Sequence, residues 1–236
     1  EKFKSSKNNK NKLIISLGDP AGIGTEITLK ALGSKLLSNN IKPLIVGCKN
    51  NTYKTYIDLI KHGITNIPDP SKLDIIDIPL EKKVYPGIVD ENSGSASFKW
   101  LLEATNILLE GKADALVTAP ISKIAWHQAG HKFAGQTELL GKLTNKKTSM
   151  LFTAISPNNG WRFNTLLATT HIPLNEIKSN LTKELIRYKL DTLLNFCRQF
   201  KEKPLIHIAG LNPHAGEEGK IGVEEQKFII PILNEW

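Results

Sequence analysis

Short, nearly uninterrupted apolar runs, each followed by a segment of helical periodicity, constrain this chain more than any other feature. LIISL at 13–17, PLIVG at 43–47, LDIIDI at 73–78 and DALVT at 114–118 are too short for buried helices and too continuous for a sheet with one wet face. Such runs suit strands buried on both faces of a mostly parallel sheet. Between them lie helical patterns from Glu26 through about Leu37, from Thr52 to His62, and from Ser93 or Ser95, either a good N-cap, to Gly111, a natural C-cap. Strands alternating with helices predict an α/β fold.

The segment 121–135, ISKIAWHQAGHKFAG, changes character, with little apolar periodicity, and is expected to open a second lobe, so that the domains read as 1–120 and 121–236. Lys123 there is a surface cation or an anion-binding group. A helix is expected from Gln136 through Leu143, then strands at 150–155 and 163–170 joined by the Pro157-Asn158-Asn159-Gly160 turn as a hairpin. A long amphipathic helix over 182–200 follows, then a strand at 205–209 and a last helix from Val223, which Pro231 kinks or restarts.

Two places put polar side chains beyond a buried strand, where the loops of open α/β sheets bind ligands. One is 204–222, PLIHIAGLNPHAGEEGKIG, whose loop carries Asn212, His214, Glu217 and Glu218; the other is His171, after the run FNTLLATT. Each His alone reads as an ordinary loop residue, but imidazole is the commonest protein metal ligand and the pair can converge on one ion. GDPAGIG at 18–24 opens a helix whose N-terminal N–H groups can hold a phosphate or carboxylate, or its glycines serve a tight turn alone. It is not the spaced dinucleotide fingerprint.

The 236 residues suffice for one large domain or two modest ones, and no apolar run approaches the roughly 20 residues of a membrane span. The N-terminus is Lys/Asn-rich and polar, without a signal-peptide pattern. Cys48 and Cys197 have no metal-type spacing, which suits a reducing, cytoplasmic setting. The charge of +8 is carried almost wholly by Lys, with Arg only at Arg162, Arg187 and Arg198. Scattered Lys reads as solvated surface, not as a nucleic-acid reader, though a basic field helps attract an anionic metabolite.

Taken together, GDPAGIG at 18–24, ALVTAPISK at 115–123, GQTELL at 135–140, ATTHIPL at 168–174 and GLNPHAGEEGKIGVEE at 210–225 resemble the 4-hydroxythreonine-4-phosphate dehydrogenase family of vitamin B6 biosynthesis. The resemblance implies an isocitrate/isopropylmalate dehydrogenase-like fold, two α/β lobes with the active site in the cleft between them. It implies oxidation of 4-phosphooxy-L-threonine by NAD, with decarboxylation to 3-amino-2-oxopropyl phosphate. It also implies a divalent metal (Zn, Mg, Co or Mn) held by three His, of which His171 and His214 match two, and a homodimer that shares its active site between subunits.

The family's substrate-contacting His-Thr pair falls on Gln136 and Thr137, and Gln exchanges hydrogen bonds without taking a charge. The third His and the residues that grip the substrate phosphate are expected beyond the position matching Trp236, so the chain as it stands is expected to be C-terminally truncated and inactive. Rival readings are a dehydrogenase of D-threonate or D-erythronate 4-phosphate and, from another class, a metal-dependent hydrolase using His171, His214, Glu217 and Glu218 with an activated water. No HExxH-type helix supports the hydrolase.

Overall fold

The computed structural model describes residues 11–236; the Lys/Asn-rich opening, residues 1–10, lies outside the described residues. The chain forms two compact units, one ending at Thr148 and one running from Ser149 to Trp236.

The first unit holds the four expected strands: β1 (Asn11–Ser16), β2 (Ile41–Gly47), β3 (Ile75–Asp77) and β4 (Ala115–Thr118). They form one parallel sheet of order β3-β2-β1-β4. The path runs outward from β1 to β2 to β3, then back across to β4, and because crossovers between parallel strands are almost always right-handed, this reversal of direction puts the returning helix on the opposite face. That helix is α3 (Glu91–Leu109), whose Trp100, Ala104 and Ile107 bury against Ile14 and Val46 of the sheet. Beyond them, α1 (Gly24–Leu32) and α2 (Lys49–Lys61) meet through Leu29 and Leu59 over Ile67.

Local chemistry moves several element ends from their expected places. Helix α1 ends at Leu32 with Gly33 as C-cap, short of residue 37; Leu36, 96% exposed, has no core to face. The N-cap of α3 is Asp90, not Ser93 or Ser95: Asp90 Oδ1 accepts the Ser93 N–H at 2.8 Å, and the hydroxyl of Ser93 turns back to Asp90 O. A carboxylate there also suits the positive end of the helix dipole. The segment 121–135 contains a short helix, α4 (Lys123–Gln128), capped by Ser122 and packed within the first unit. Its fully buried Trp126 donates Nε1–H to Ser97 Oγ of α3 at 2.8 Å and packs with Leu101 and with Leu139 of α5 (Gln136–Thr144).

The second unit begins with the expected hairpin, β5 (Leu151–Ile155) antiparallel to β6 (Arg162–Leu166). Strand β6 ends at Leu166 because the ladder runs out: Leu166 pairs with Leu151, and Leu167 N–H reaches only Met150 O beyond it. The strand expected at 205–209 is not formed. Leu205 and Ile208 stay 77% and 46% exposed, and without a neighbouring ladder an apolar run has nothing to make it a strand. The helices are α6 (Ile177–Asn180), α7 (Lys183–Cys197), capped by Thr182, and α8 (Ile230–Glu235). A π-helical turn, Glu225–Ile229, precedes α8, and Pro231 sits in the first turn of α8, the restart that its missing N–H favours.

Candidate functional site

Within the first unit, β1 has β2 on one side and β4 on the other, so the chain leaves their carboxyl ends in opposite directions and opens a crevice there. Gly18 sits at φ +69°, and a Cβ on it would lie 2.3 Å from Pro120 O; only glycine lets the loops after β1 and β4 meet. Asp19 N–H seals that meeting by donating to Pro120 O at 2.9 Å. The Asp19 side chain is buried, and its Oδ1 accepts the Ala21 N–H at 2.9 Å. Burial raises this carboxyl above the ordinary carboxylate range; the Ala21 N–H and Ser93 hydroxyl pull against the rise and Asp90 adds to it.

Gln136, the first residue of α5, donates Nε2–H to Ala119 O at 3.1 Å, which fixes its amide at the end of β4. Its Oε1 is buried and unpartnered among the described residues, an acceptor that a hydroxyl or ammonium would satisfy. Thr137 is exposed beside it. Lys123 lies along the start of α5, its Cε 3.4 Å from where a Cβ on Gly135 would stand, with Glu138 Oε2 equally close. A carboxyl is thus held just after β1, an amide at the end of β4 and an ammonium beside the start of α5.

His171 and His214 both belong to the second unit, on loops and not at strand ends. Each has a left-handed backbone, φ 55° and 51°, a conformation that costs a residue with a Cβ and persists only where its surroundings impose it. Both are exposed, and neither imidazole engages a hydrogen bond or ion pair among the described residues, so ring lone pairs remain available. His214 also starts a left-handed turn: His214, Ala215, Gly216, Glu217 and Glu218 all have φ between 43° and 83°. Ala215 N–H to Asn212 O, Lys220 N–H to Glu217 O and Ile221 N–H to Gly216 O, each 3.1 Å, stitch it together.

Two open imidazoles are a donor set that suits several divalent ions. Among the described residues no three His, Cys, Asp or Glu side chains gather as a metal cluster, so Glu217 and Glu218 do not complete one. Reasoning from sequence passes over Asp19, although an Asp between Gly and Pro at the end of a buried strand is a signal for it. It also passes over the contact between Asn212 and Glu225, residues 13 apart, for which no local signal exists.

Residues 38–236 match the family model described as pyridoxal phosphate biosynthetic protein PdxA. A 4-hydroxythreonine-4-phosphate dehydrogenase of Synechococcus sp. (strain RCC307) is 50% identical over 223 residues, 94% of this chain and 67% of the relative. A D-threonate 4-phosphate dehydrogenase of Pectobacterium atrosepticum is 32% identical, over 94% of this chain and 70% of its own. The crystal structure of a 4-hydroxythreonine-4-phosphate dehydrogenase from Klebsiella pneumoniae superposes with a TM-score of 0.78 at 31% identity, over 98% of this chain and 71% of that one. The chain spans about two thirds of the length of the curated relatives it matches. With matches of this identity and extent on a shared α/β fold, the chain belongs to the PdxA family of pyridoxal phosphate biosynthetic proteins.

Proposed function

We propose that this protein is an NAD-dependent, metal-dependent dehydrogenase that oxidises 4-phosphooxy-L-threonine with loss of carbon dioxide to 3-amino-2-oxopropyl phosphate. The observation that carries the reading is the pair of unengaged imidazoles, His171 and His214, each set by a left-handed backbone in a chain of this family. These two side chains would hold the divalent ion, whether Zn, Mg, Co or Mn. When bound, the ion supplies Lewis acidity toward a substrate hydroxyl and the nicotinamide supplies the hydride acceptor.

The chain's own groups do the rest. Gln136, its Nε2 committed to Ala119 O, offers Oε1 to a hydroxyl or ammonium of the substrate, and Thr137 adds a hydroxyl beside it. A neutral amide orients the substrate at any pH without moving a proton, which leaves acid/base work to another group. Homodimerisation with an active site shared between subunits belongs to the same reading; Phe152, Ile155, Trp161 and Phe163 of the hairpin stay about half exposed, an apolar surface that a second copy would cover. The unpaired Cys48 and Cys197 accord with a reducing, cytoplasmic setting.

A second substrate, D-threonate 4-phosphate, is favoured by the Pectobacterium relative. The test is NADH formation by the purified full-length protein on both phosphates, with and without chelator. The reading expects turnover on 4-phosphooxy-L-threonine that vanishes with chelator and in His171→Ala and His214→Ala, and a raised KM in Gln136→Leu. Turnover on the threonate phosphate alone would move the substrate, and chelator-resistant turnover would remove the metal.

A further inference from the structure

We propose that Glu225 is a positioning residue for His214, acting through Asn212: its buried carboxylate holds the left-handed turn in the one form that presents the imidazole to a metal. The inference rests on the reading of His214 as a metal ligand.

A run of left-handed residues does not stand by itself. For residues with a Cβ each step costs about 1–2 kcal/mol, and four of the five here, His214, Ala215, Glu217 and Glu218, have one. The turn's backbone hydrogen bonds would form equally well in the right-handed mirror image, so a contact from outside the turn must set the hand. Glu225 is 4% exposed, an unusual place for a carboxylate, and its oxygens grip Asn212 at two points. Oε1 accepts the Asn212 backbone N–H at 2.6 Å and Oε2 accepts Nδ2–H at 2.8 Å.

The second Nδ2 hydrogen goes to Glu224 Oε2 at 2.9 Å, and Glu224 pairs with Lys178. Every donor of Asn212 is thereby spent on the carboxylates of 224 and 225, and its carbonyl receives Ala215 N–H. The other face of the same carboxylate closes the turn from inside. A Cβ on Gly216 would lie 3.0 Å from Glu225 Oε2 and 2.4 Å from Gly222 O, and one on Gly222 would meet Asn212 Nδ2 at 2.3 Å. Asn212, Gly216 and Gly222 therefore close around one buried carboxylate, and His214 is carried on the arc between Asn212 and Gly216. Glu225 also begins the π-helical turn Glu225–Ile229, a local widening of the helix that recurs at functional sites.

Removing the grip frees Asn212 and lets 213–218 relax toward right-handed conformations, which swings the imidazole away without touching it. Support shells of metal ligands are typically worth about 10–100-fold in affinity. The test is Co(II) affinity of the protein by competition with a chromophoric chelator, read together with the visible Co(II) spectrum and with hydrogen exchange of 212–222 in the metal-free protein. Glu225→Gln turns one acceptor into a donor facing Asn212, and Asn212→Ala removes the gripped amide.

Each variant is expected to lose about 10–100-fold in affinity, to change the Co(II) spectrum and to exchange faster over 212–222, with unaltered exchange in the first unit. The double variant should be no worse than the poorer single one, since both remove one interaction. Affinity and spectrum unchanged in both variants, while His214→Ala loses the metal, would overturn the positioning role and leave the metal reading standing. Binding indifferent to His214→Ala, or no binding by the unaltered protein, would overturn both.

Discussion

The crevice of the first unit and the histidine loop of the second place polar groups by different means. In the first, regular structure does the work: four parallel strands fix where β1 and β4 end, and Asp19 and Gln136 are held by carbonyls and N–H groups at those ends. In the second, a two-stranded hairpin is the whole sheet, and the backbone that carries His171 and His214 leaves the right-handed regions altogether. A site built on strand ends inherits its precision from the core. A site built on a strained loop needs a dedicated clamp and can be loosened without unfolding anything else.

The largest blow to one side of this contrast is Trp126→Ala. The indole is fully buried and hydrogen-bonded to Ser97, so its loss should cost about 3–5 kcal/mol. Thermal unfolding followed by exchange at α3, α4 and α5 should drop, with 212–222 unaffected; a drop confined to the second unit would break the contrast.

Gly216→Ala attacks the other side. At φ +83°, with Gly222 O 2.4 Å from the new methyl, it should cost about 1–3 kcal/mol, confined to the histidine loop. Limited proteolysis should cut near 212–222 in this variant and spare the first unit.

A smaller pair of effects concerns pH, and the two regions should respond with opposite sign. Asp19 has its pKa raised, first by burial, so its contribution to stability is full below the unfolded Asp value of about 3.9 and is lost as pH rises through the raised folded value. Glu225 is held low, first by the Asn212 N–H, so its contribution is full above the unfolded Glu value of about 4.3 and is lost as pH falls through the lowered folded value. Hydrogen exchange across that range should show the loop 212–222 loosening on acidification while the crevice does not. Asp19→Asn should flatten one trend and Glu225→Gln the other; parallel trends in both regions would refute the assignment. The smallest effect is expected for Glu235→Gln, which removes exposed, solvent-screened pairs with Lys183 and Arg187 and should leave the midpoint of chemical denaturation almost unmoved.

What the residues declared in advance follows the same divide. Strands β1 and β2 were legible because burial on both faces, reached over their later residues, writes itself as the continuous apolar runs LIISL and PLIVG; β3 and β4 read the same way, yet neither is buried throughout and Val117 of β4 is 46% exposed. The hairpin announced itself through its Pro-Asn-Asn-Gly turn. Helix α4 was not legible, because Lys123–Gln128 is under two turns long and its buried residues are only Ala125 and Trp126, too few to show a period. The run at 205–209 misled because strand formation belongs to the pair of ladders and not to one of them. Gln136 and Thr137 came forward through a family motif, and His171 and His214 first through their places after apolar runs; that both His would sit at positive φ did not, since His is not a residue whose presence signals that conformation as Gly does. The grip of Glu225 on Asn212 is a contact between a loop and a helix start, invisible to any local pattern.

The left-handed turn also limits what can be moved to another protein. Its backbone is the near mirror image of a common right-handed turn, and in a peptide cut at 213–218 Gly216 alone is indifferent to the hand while every other residue favours the right-handed form. Released from Asn212 and Glu225, L-residues revert to the opposite hand. A graft of PHAGEE onto a foreign scaffold would therefore carry the imidazole and lose its aim, and the smallest transferable unit is the closed ring 212–225, carboxylate included.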